Sequence, residues 1–430
     1  MATQKNSSHI FCGMSELAYS PSKLVQNEID YAYNTEITPH NSIIHGNNII
    51  FHIEGSTDWI DLSNTFLTVE IRVSRSDGSE IEGDVSIVNN IFHSIFSQVQ
   101  VKLKDTVISH PSPNYGYRAY LETLLNFSAD AKNSWLKNQG WFQDQADKFE
   151  NAENTGFVAR KKLISANKIL CLKGRLCTDI SAQPLLIPSQ TDINFTLTPQ
   201  RPEFAILRLD ATDTASYKIE ILSAVLNVRK VKLFPSAVNN FEKLISKNPI
   251  SLPISQIKVN TVSIARGLST FNQNSLFHGV IPSYIVIGFT SNSGYAGSYA
   301  KNPYLFANAD LNHVQLKVNE RLVPTIPYTP NFKDSKIIDS YESLFAVVGR
   351  QNQDWSSGIQ TEDYIGGTAL WGFVLNNDTL CRHDSQNGIG HVDITLKFGT
   401  PLTETMTMVI YSSLQGNVLI DNHRNILLDV

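Results

Sequence analysis

An all-β fold made twice is what this chain of 430 residues predicts: two tandem domains of about eight short strands each, jelly rolls or Greek-key sandwiches, with short helices in the loops. Three observations carry that expectation. The first is an internal repeat. Val99–Leu103 reads VQVKL, and Val314–Val318 reads VQLKV, a little over two hundred residues later. Around this pair the order of neighbours is kept: Leu67–Val73 precedes the first copy as Tyr284–Phe289 precedes the second, YLETLL (Tyr120–Leu125) answers SYESLF (Ser340–Phe345), and DINFTL (Asp192–Leu197) answers DITLKF (Asp393–Phe398). Solenoids and propellers repeat every ~20–50 residues, so a single repeat at this distance means two copies of one domain. The second observation is period-two alternation, with Val99, Val101 and Leu103 on one face and Val314, Leu316 and Val318 on another. The third is that helical patterns are short and confined to the connections, which argues against a parallel α/β sheet.

The repeat divides the chain into an N-terminal arm (1–46), a first domain (47–233), a connector helix (234–249) and a second domain (250–430). The arm is polar and irregular. Alternation begins at Asn48–Ile53 and is clearest in LTVEIRV (Leu67–Val73), with SDGSE (Ser76–Glu80) as the turn after it. Pro111 and Pro113 break the chain before a short helix at Tyr115–Phe127. Ser128–Leu163 is the longest stretch without strand signals; Lys168–Leu176, Asp192–Thr198 and Tyr217–Leu233 resume them. FPSAVNNFEKLISKNP (Phe234–Pro249) reads as a helix that starts at Pro235 and stops before Pro249. The second copy runs through Ile257–Ile264, Tyr284–Phe289, Val314–Leu322, a loop-rich Asp334–Asp384, His391–Phe398 and Met406–Ser412 to a last strand and tail, Val418–Val430.

Hydrophobic residues at 42% suffice for two cores, while charged residues make up only 17%, against roughly 25% in an ordinary soluble chain. Neutral loops account for that shortfall, and so does a surface covered by other chains, since interface cores are depleted in charge. A net charge of −5 argues against a dedicated nucleic-acid binder. No stretch reaches the ~18 apolar residues of a membrane span. MATQKNSSHIFCGM lacks the apolar region of a secretory signal, so the N-x-S/T sequons at Asn6, Asn126, Asn194 and Asn377 are not expected to carry glycans. Four cysteines, Cys12, Cys171, Cys177 and Cys381, fit a reducing compartment.

No constellation carries convincing chemistry. His383, Asp384, His391 and Asp393 stand close together, but their spacing matches no zinc signature, and surface-loop residues are the better reading. Cys171 and Cys177 share one strand-like run; six residues apart on an extended strand is nearly 20 Å, too far for a disulfide, so both are expected to be buried thiols. Arg160, Lys161 and Lys162 read as a solvated loop, and the glycine-rich NSGYAGSYAKN (Asn292–Asn302) as a mobile loop rather than a phosphate cradle. With no catalytic template matched, the expectation is a protein that is not an enzyme, with no catalytic residues, cofactor or metal.

Longer blocks do carry a resemblance. DWIDLSNTFLTVEIRV (Asp58–Val73), IFHSIFSQVQVKL (Ile91–Leu103), YGYRAYLETLLNF (Tyr115–Phe127), VRKVKLFPS (Val228–Ser236), GSYAKNPYLF (Gly297–Phe306), TPLTETMTMVIYSS (Thr400–Ser413) and NVLIDNHRN (Asn417–Asn425) resemble the major capsid protein of Polinton (Maverick) elements and adintoviruses. The blocks keep their order from Asp58 to the C-terminal residues, and the first 50 residues match least. The resemblance implies a double jelly roll of the tectivirus–adenovirus lineage. It also implies a hexon-like homotrimer of pseudo-sixfold outline, tiling an icosahedral virion around double-stranded DNA. The expected partners are further copies of the chain and penton or minor capsid proteins, with no sequence-specific nucleic acid. Synthesis is expected in the host cytoplasm, and assembly there or in the nucleus. A duplication is what such a capsomer needs, because three chains give near-sixfold symmetry only if each supplies two similar wedges. The alternative is a duplicated β-sandwich that binds carbohydrate, with Trp135, Trp141, Trp355 and Trp371 stacking on sugars. For the trimer, the long insertions Ser128–Leu163 and Asp334–Asp384 are the expected contacts. Trp135, Trp141, Phe142, Tyr341, Phe345, Trp355 and Trp371 are the interface candidates, being the residue types that dominate interface cores.

Overall fold

The structure, a computed structural model, describes residues 28–44, 46–109, 112–375 and 388–429. The first roll comprises β1 (Ile29–Ile37), β2 (Ile49–Ile53), β3 (Trp59–Arg75), β4 (Phe96–Leu103), β5 (Thr106–Val107), β6 (Ile169–Gly174), β7 (Ile193–Pro199) and β8 (Tyr217–Leu233). The second comprises β9 (Ile250–Ile264), β10 (Thr270–Val280), β11 (Tyr284–Ser291), β12 (Leu311–Val318), β13 (Arg321–Tyr328), β14 (Leu370–Val374), β15 (Ile389–Phe398) and β16 (Met406–Ile420). Roll 1 pairs its strands as β1-β8-β3-β6 and β2-β7-β4-β5; roll 2 pairs them as β9-β16-β11-β14 and β10-β15-β12-β13. Each strand thus has its counterpart eight places on, and the pairing order is that of two jelly rolls. Two further short strands, Val85–Ile87 and Ile206–Arg208, pair with each other beside roll 1, and Ile426–Asp429 pairs with β16.

The equivalence extends to register. Val99 on β4 faces Leu197 on β7, and Val314 on β12 faces Leu396 on β15. Both ladders then slip at the same point, between Phe96 and Gln98 in roll 1 and between Leu311 and His313 in roll 2. A bulge is a local insertion that bends one strand, so its occurrence at matching residues is independent evidence of duplication. The letters of DINFTL and DITLKF would align Leu197 with Phe398; the ladders align it with Leu396, two residues earlier. Two residues is one pleat period, so every side chain keeps its face.

Inward-facing residues build two clusters. One lies wholly within roll 2 and includes Ile285, Ile287, Phe289, Trp371, Met408 and Ile410. The other fills roll 1 and continues through the seam between the rolls to the opposite side of the β9-β16-β11-β14 sheet, where it takes in Val286, Val409 and Tyr411. That sheet is therefore covered on both faces. The helices of the seam, the insertions and the connector include α1 (Tyr115–Asn126), α2 (Ala129–Asn133), α3 (Thr155–Ile164), α4 (Pro235–Ile245) and α5 (Ile338–Val347). The connector helix α4 has proline in its first turn, where a missing N–H leaves no bond unmade. It buries Phe241 and Ile245, with the Phe241 ring edge-on to Trp59 at 4.4 Å.

Four expectations need correction. The segment read as an arm holds β1, the outer strand of a roll 1 sheet; most of its side chains are exposed, so no burial imposed an alternating pattern. Arg160 is not in a solvated loop but fully buried on α3, its guanidinium 2.6 Å from Asp144 and its Nε donating to the Ile87 carbonyl at 2.9 Å. Asn154 caps that helix and also donates to Asp144 at 2.6 Å, so one polar knot organises the insertion. Cys171 is exposed and Cys177 only half-buried, because β6 ends at Gly174 and Cys171 is on its outer face; Cys12 and Cys381 lie outside the described residues. The glycine-rich segment is packed into the seam: Tyr295 donates to Asn114 at 3.1 Å, and Lys301 lies 3.1 Å from Glu150.

Candidate functional site

The two insertions occupy matching places. In each roll the chain leaves strand five or its counterpart, forms a helix (α1 in roll 1, α5 in roll 2), and re-enters at β6 or β14. Their fates differ. The aromatic side chains of α1 meet roll 2 at Tyr295, Tyr304 and Phe306, and Asn114 just before the helix donates to Val259, whereas α5 lies on its own roll. There Gly372 is required, since a Cβ would come within 2.6 Å of both the Ser343 carbonyl and Val347.

The seam under α1 is aromatic at its centre and ionic at one side. Tyr120 stacks on Tyr304 with ring centres 4.1 Å apart and planes 2° from parallel; Tyr117 meets Tyr304 and Phe204 edge-on. The Tyr304 hydroxyl lies 2.6 Å from Ser94 Oγ. Beside the rings, Arg118 stands 2.7 Å from Asp179, with their side chains 10% and 0% exposed, and 3.7 Å from Glu122. Burial alone would lower the Arg118 pKa; the carboxylates of Asp179 and Glu122 outweigh it, so the guanidinium is held charged. Asp179 also accepts from the Ile257 N–H at 3.1 Å, and Asn114 donates to the Val259 carbonyl at 3.1 Å.

Lys132 ties the insertions together. Its buried ammonium donates to the carbonyls of Leu124 and Ser357, each at 2.6 Å, and sits 5.7 Å from the centre of the Trp141 ring. Burial pushes its pKa down to about 7, against a smaller opposing pull from Asp363. His93, buried between Tyr115 (2.9 Å) and Gln139 (3.3 Å), is pushed down to about 3 by burial and stays neutral. Tyr117, Tyr120, Tyr304, Arg118, Asp179 and Lys132 were not among the sequence candidates. The density of aromatics in Tyr115–Tyr120 and Tyr295–Phe306 is a signal for the three tyrosines and for Arg118 among them, while Asp179 and Lys132 lie outside both segments.

The seven interface candidates separate by exposure. Trp141 is 1% exposed and stacked on Tyr120, and Trp371 is 0% exposed; both belong to their own chain's core and present no side-chain surface to a partner. Trp371 is also not in an insertion, because LWGFV forms β14, buried on both sides without alternation. Phe142 is half-buried and its carbonyl accepts from Arg160. Tyr341 and Phe345 pack edge-on at 5.0 Å, and the Tyr341 hydroxyl donates to the Ile359 carbonyl at 2.7 Å. Trp355 is capped by the Arg350 guanidinium at 3.7 Å. Trp135, 49% exposed and edge-on to Phe127, has the most open side chain. The same burial removes two of the four tryptophans proposed to stack on sugars.

Among the described residues, no three or more His, Cys, Asp or Glu side chains stand close enough to share a metal ion. His391 lies 4.0 Å from Glu320, and Asp393 accepts from the Ser275 N–H; His383 and Asp384 lie outside the described residues. No helix among the described residues is long and apolar enough to cross a membrane.

The chain is similar in fold to viral structures. It aligns with a chain of the Sputnik virophage structure over 99% of its length and 93% of that chain, with a TM-score of 0.64 at 13% identity. It aligns with the mavirus major capsid protein over 92% and 90% of the two chains, with a TM-score of 0.57 at 9% identity. In sequence it is 22% identical over 390 residues to an uncharacterised protein of Caenorhabditis elegans, covering 87% of this chain and 91% of that one. No family model matches the chain. At these identities the structural likenesses establish the fold, a double jelly roll.

Proposed function

We propose that this chain is the major capsid subunit of a virus-like element of the Polinton or adintovirus kind, and not an enzyme. Three copies close into a pseudo-hexameric, hexon-like capsomer, and capsomers tile an icosahedral shell around a double-stranded DNA genome. Penton or minor capsid proteins fill the vertices, and the protein resides in the virion. The observation that carries this reading is the duplication itself, matched strand for strand and bulge for bulge. A threefold assembly of two-wedge chains approximates a sixfold tile, which gives a paired roll its use. Likeness to the mavirus major capsid protein supports the same reading, and a relative in a nematode fits an element resident in an animal genome.

The test is the mass of the purified protein in native mass spectrometry or sedimentation. The expected species is three times the 48.0 kDa chain; a monodisperse single chain at micromolar concentration would overturn the proposal.

A further inference from the structure

The two rolls differ in how far their first strand reaches. In roll 2, β9 runs from Ile250 to Ile264 and pairs with β16 along its whole length, Met406 to Ile420. In roll 1, β1 ends at Ile37 and pairs with β8 only from Leu226 to Leu233. Past Ile37 the chain crosses to the facing sheet, where the His40 N–H donates to the Ile50 carbonyl of β2 at 2.7 Å. β8 itself begins at Tyr217, whose N–H donates to the Tyr299 hydroxyl at 3.3 Å. From Lys218 to Val225, no strand among the described residues pairs with β8 on the β1 side. Alternate residues of a strand aim their N–H and C=O groups to one side, so this stretch presents an open ladder.

Beside this edge lies a recess of about 560 Å³. Its wall includes Ile43, Ile44, Ile49, Ile95, Ile221 and Leu222, of which Ile49 and Ile95 belong to the roll 1 core. Ile44 is 58% exposed and Leu222 40%, and Leu222 stands out of register where the β8–β3 ladder slips. Arg72, Arg201 and Glu220 also line the recess, and with both signs present charge does not select what enters. The open edge beside apolar side chains does. It fits an extended segment that adds backbone hydrogen bonds along β8 and sets alternate apolar side chains into the recess. Left bare, such an edge is a template for aggregation, and native proteins cover it.

We propose that the strand missing from roll 1 is supplied by the chain's own N-terminal segment, His9–Met14. HIFCGM is an apolar run without a formal charge, and as a strand it sets Ile10, Cys12 and Met14 on one face. Its tether is long enough. Ile29 lies at the Leu233 end of β8, and the gap opens at Val225, roughly 26 Å along the strand at ~3.3 Å per residue. The chain from Met14 to Ile29 spans up to ~50 Å at the same rise. A flexible linker of that size holds its end at about millimolar effective concentration. At micromolar protein, the segment of the same chain therefore fills the gap ahead of that of a second copy. The contact lies within one chain and does not depend on the capsomer reading. It closes roll 1 as the unbroken β9 closes roll 2.

The experiment uses the full chain with Leu222→Cys, in a background with Cys171→Ser to remove the exposed thiol of β6. After mild oxidation, denaturing non-reducing electrophoresis and peptide mass mapping read which thiols have joined. The expected product is a disulfide between the native Cys12 and the thiol introduced at position 222, within a single chain of 48.0 kDa. Cys12→Ser is expected to abolish it. A second measurement follows hydrogen exchange at Lys218–Val225 in a chain that keeps Leu222. There Ile10→Arg is expected to speed exchange by roughly tenfold or more while the amides of β3 and β4 keep their protection. A link joining two chains would give the gap to another copy, and an absent link or unchanged exchange would leave it open; each of these overturns the proposal.

Discussion

The outer faces of the two equivalent sheets began as one design and now differ. On roll 2, β16 is buried at nine consecutive residues, Met406 to Leu414. On roll 1, its counterpart β8 alternates buried and half-open positions along most of its length. The same strand in the same topology thus reads as a continuous apolar run where both sides are covered, and as a period-two pattern where one side is open. The outer faces follow suit: Val286 and Tyr411 on one, Thr68, Glu70 and Arg72 on the other. The difference shows that a cover, not the sheet, dictates the residues on a sheet's outer side.

That contrast can be broken most forcefully at Asp179. Removing it by Asp179→Ala leaves Arg118 buried with only the more distant Glu122, and loss of one partner of a buried pair costs about 3–5 kcal/mol. A urea titration should show the midpoint falling sharply; an unchanged midpoint would mean that the seam contributes little to the fold.

A smaller effect should come from Lys132, which joins the insertions beside the same seam. Its folded pKa of about 7 lies below that of an unfolded lysine, so between those values the unfolded chain binds the extra proton. Stability should therefore rise as pH increases from 7 toward 10, by up to ~1.4 kcal/mol per pH unit from this group, and the cost of the buried charge is fully present below pH 7. The difference in stability between wild type and Lys132→Met, measured across that range, should carry this slope; a flat difference would refute the burial argument.

The smallest effect belongs to the open face. Glu70→Ala on roll 1 touches an exposed residue without an ion pair among those described, and should change monomer stability by no more than about 0.5 kcal/mol. A large loss in denaturant would show that the face is already covered within the chain.

Much of this is legible in the sequence. VQVKL and VQLKV lie in β4 and β12, LTVEIRV lies in β3, the counterpart of β11, and the connector helix begins at its proline. Those segments are half-buried or bounded by proline, and such positions leave a periodic or local mark. The strand Ile29–Ile37 left none because its side chains are mostly in water, and the candidates Trp141 and Trp371 misled because an aromatic beside polar residues looks the same whether it packs inward or outward.

By itself, then, the sequence determined that one β-rich unit occurs twice, where its strands lie and which of their faces turn inward, because strand faces obey a two-residue period. Only the tertiary structure decided which outer face is covered. It brought Arg118 to Asp179 and Tyr120 to Tyr304, and it buried Arg160 and Lys132 among carbonyls and carboxylates. These partners stand tens to hundreds of residues apart or meet across two separately folded sheets, and no local periodicity encodes a contact whose two halves share neither a strand nor a helix.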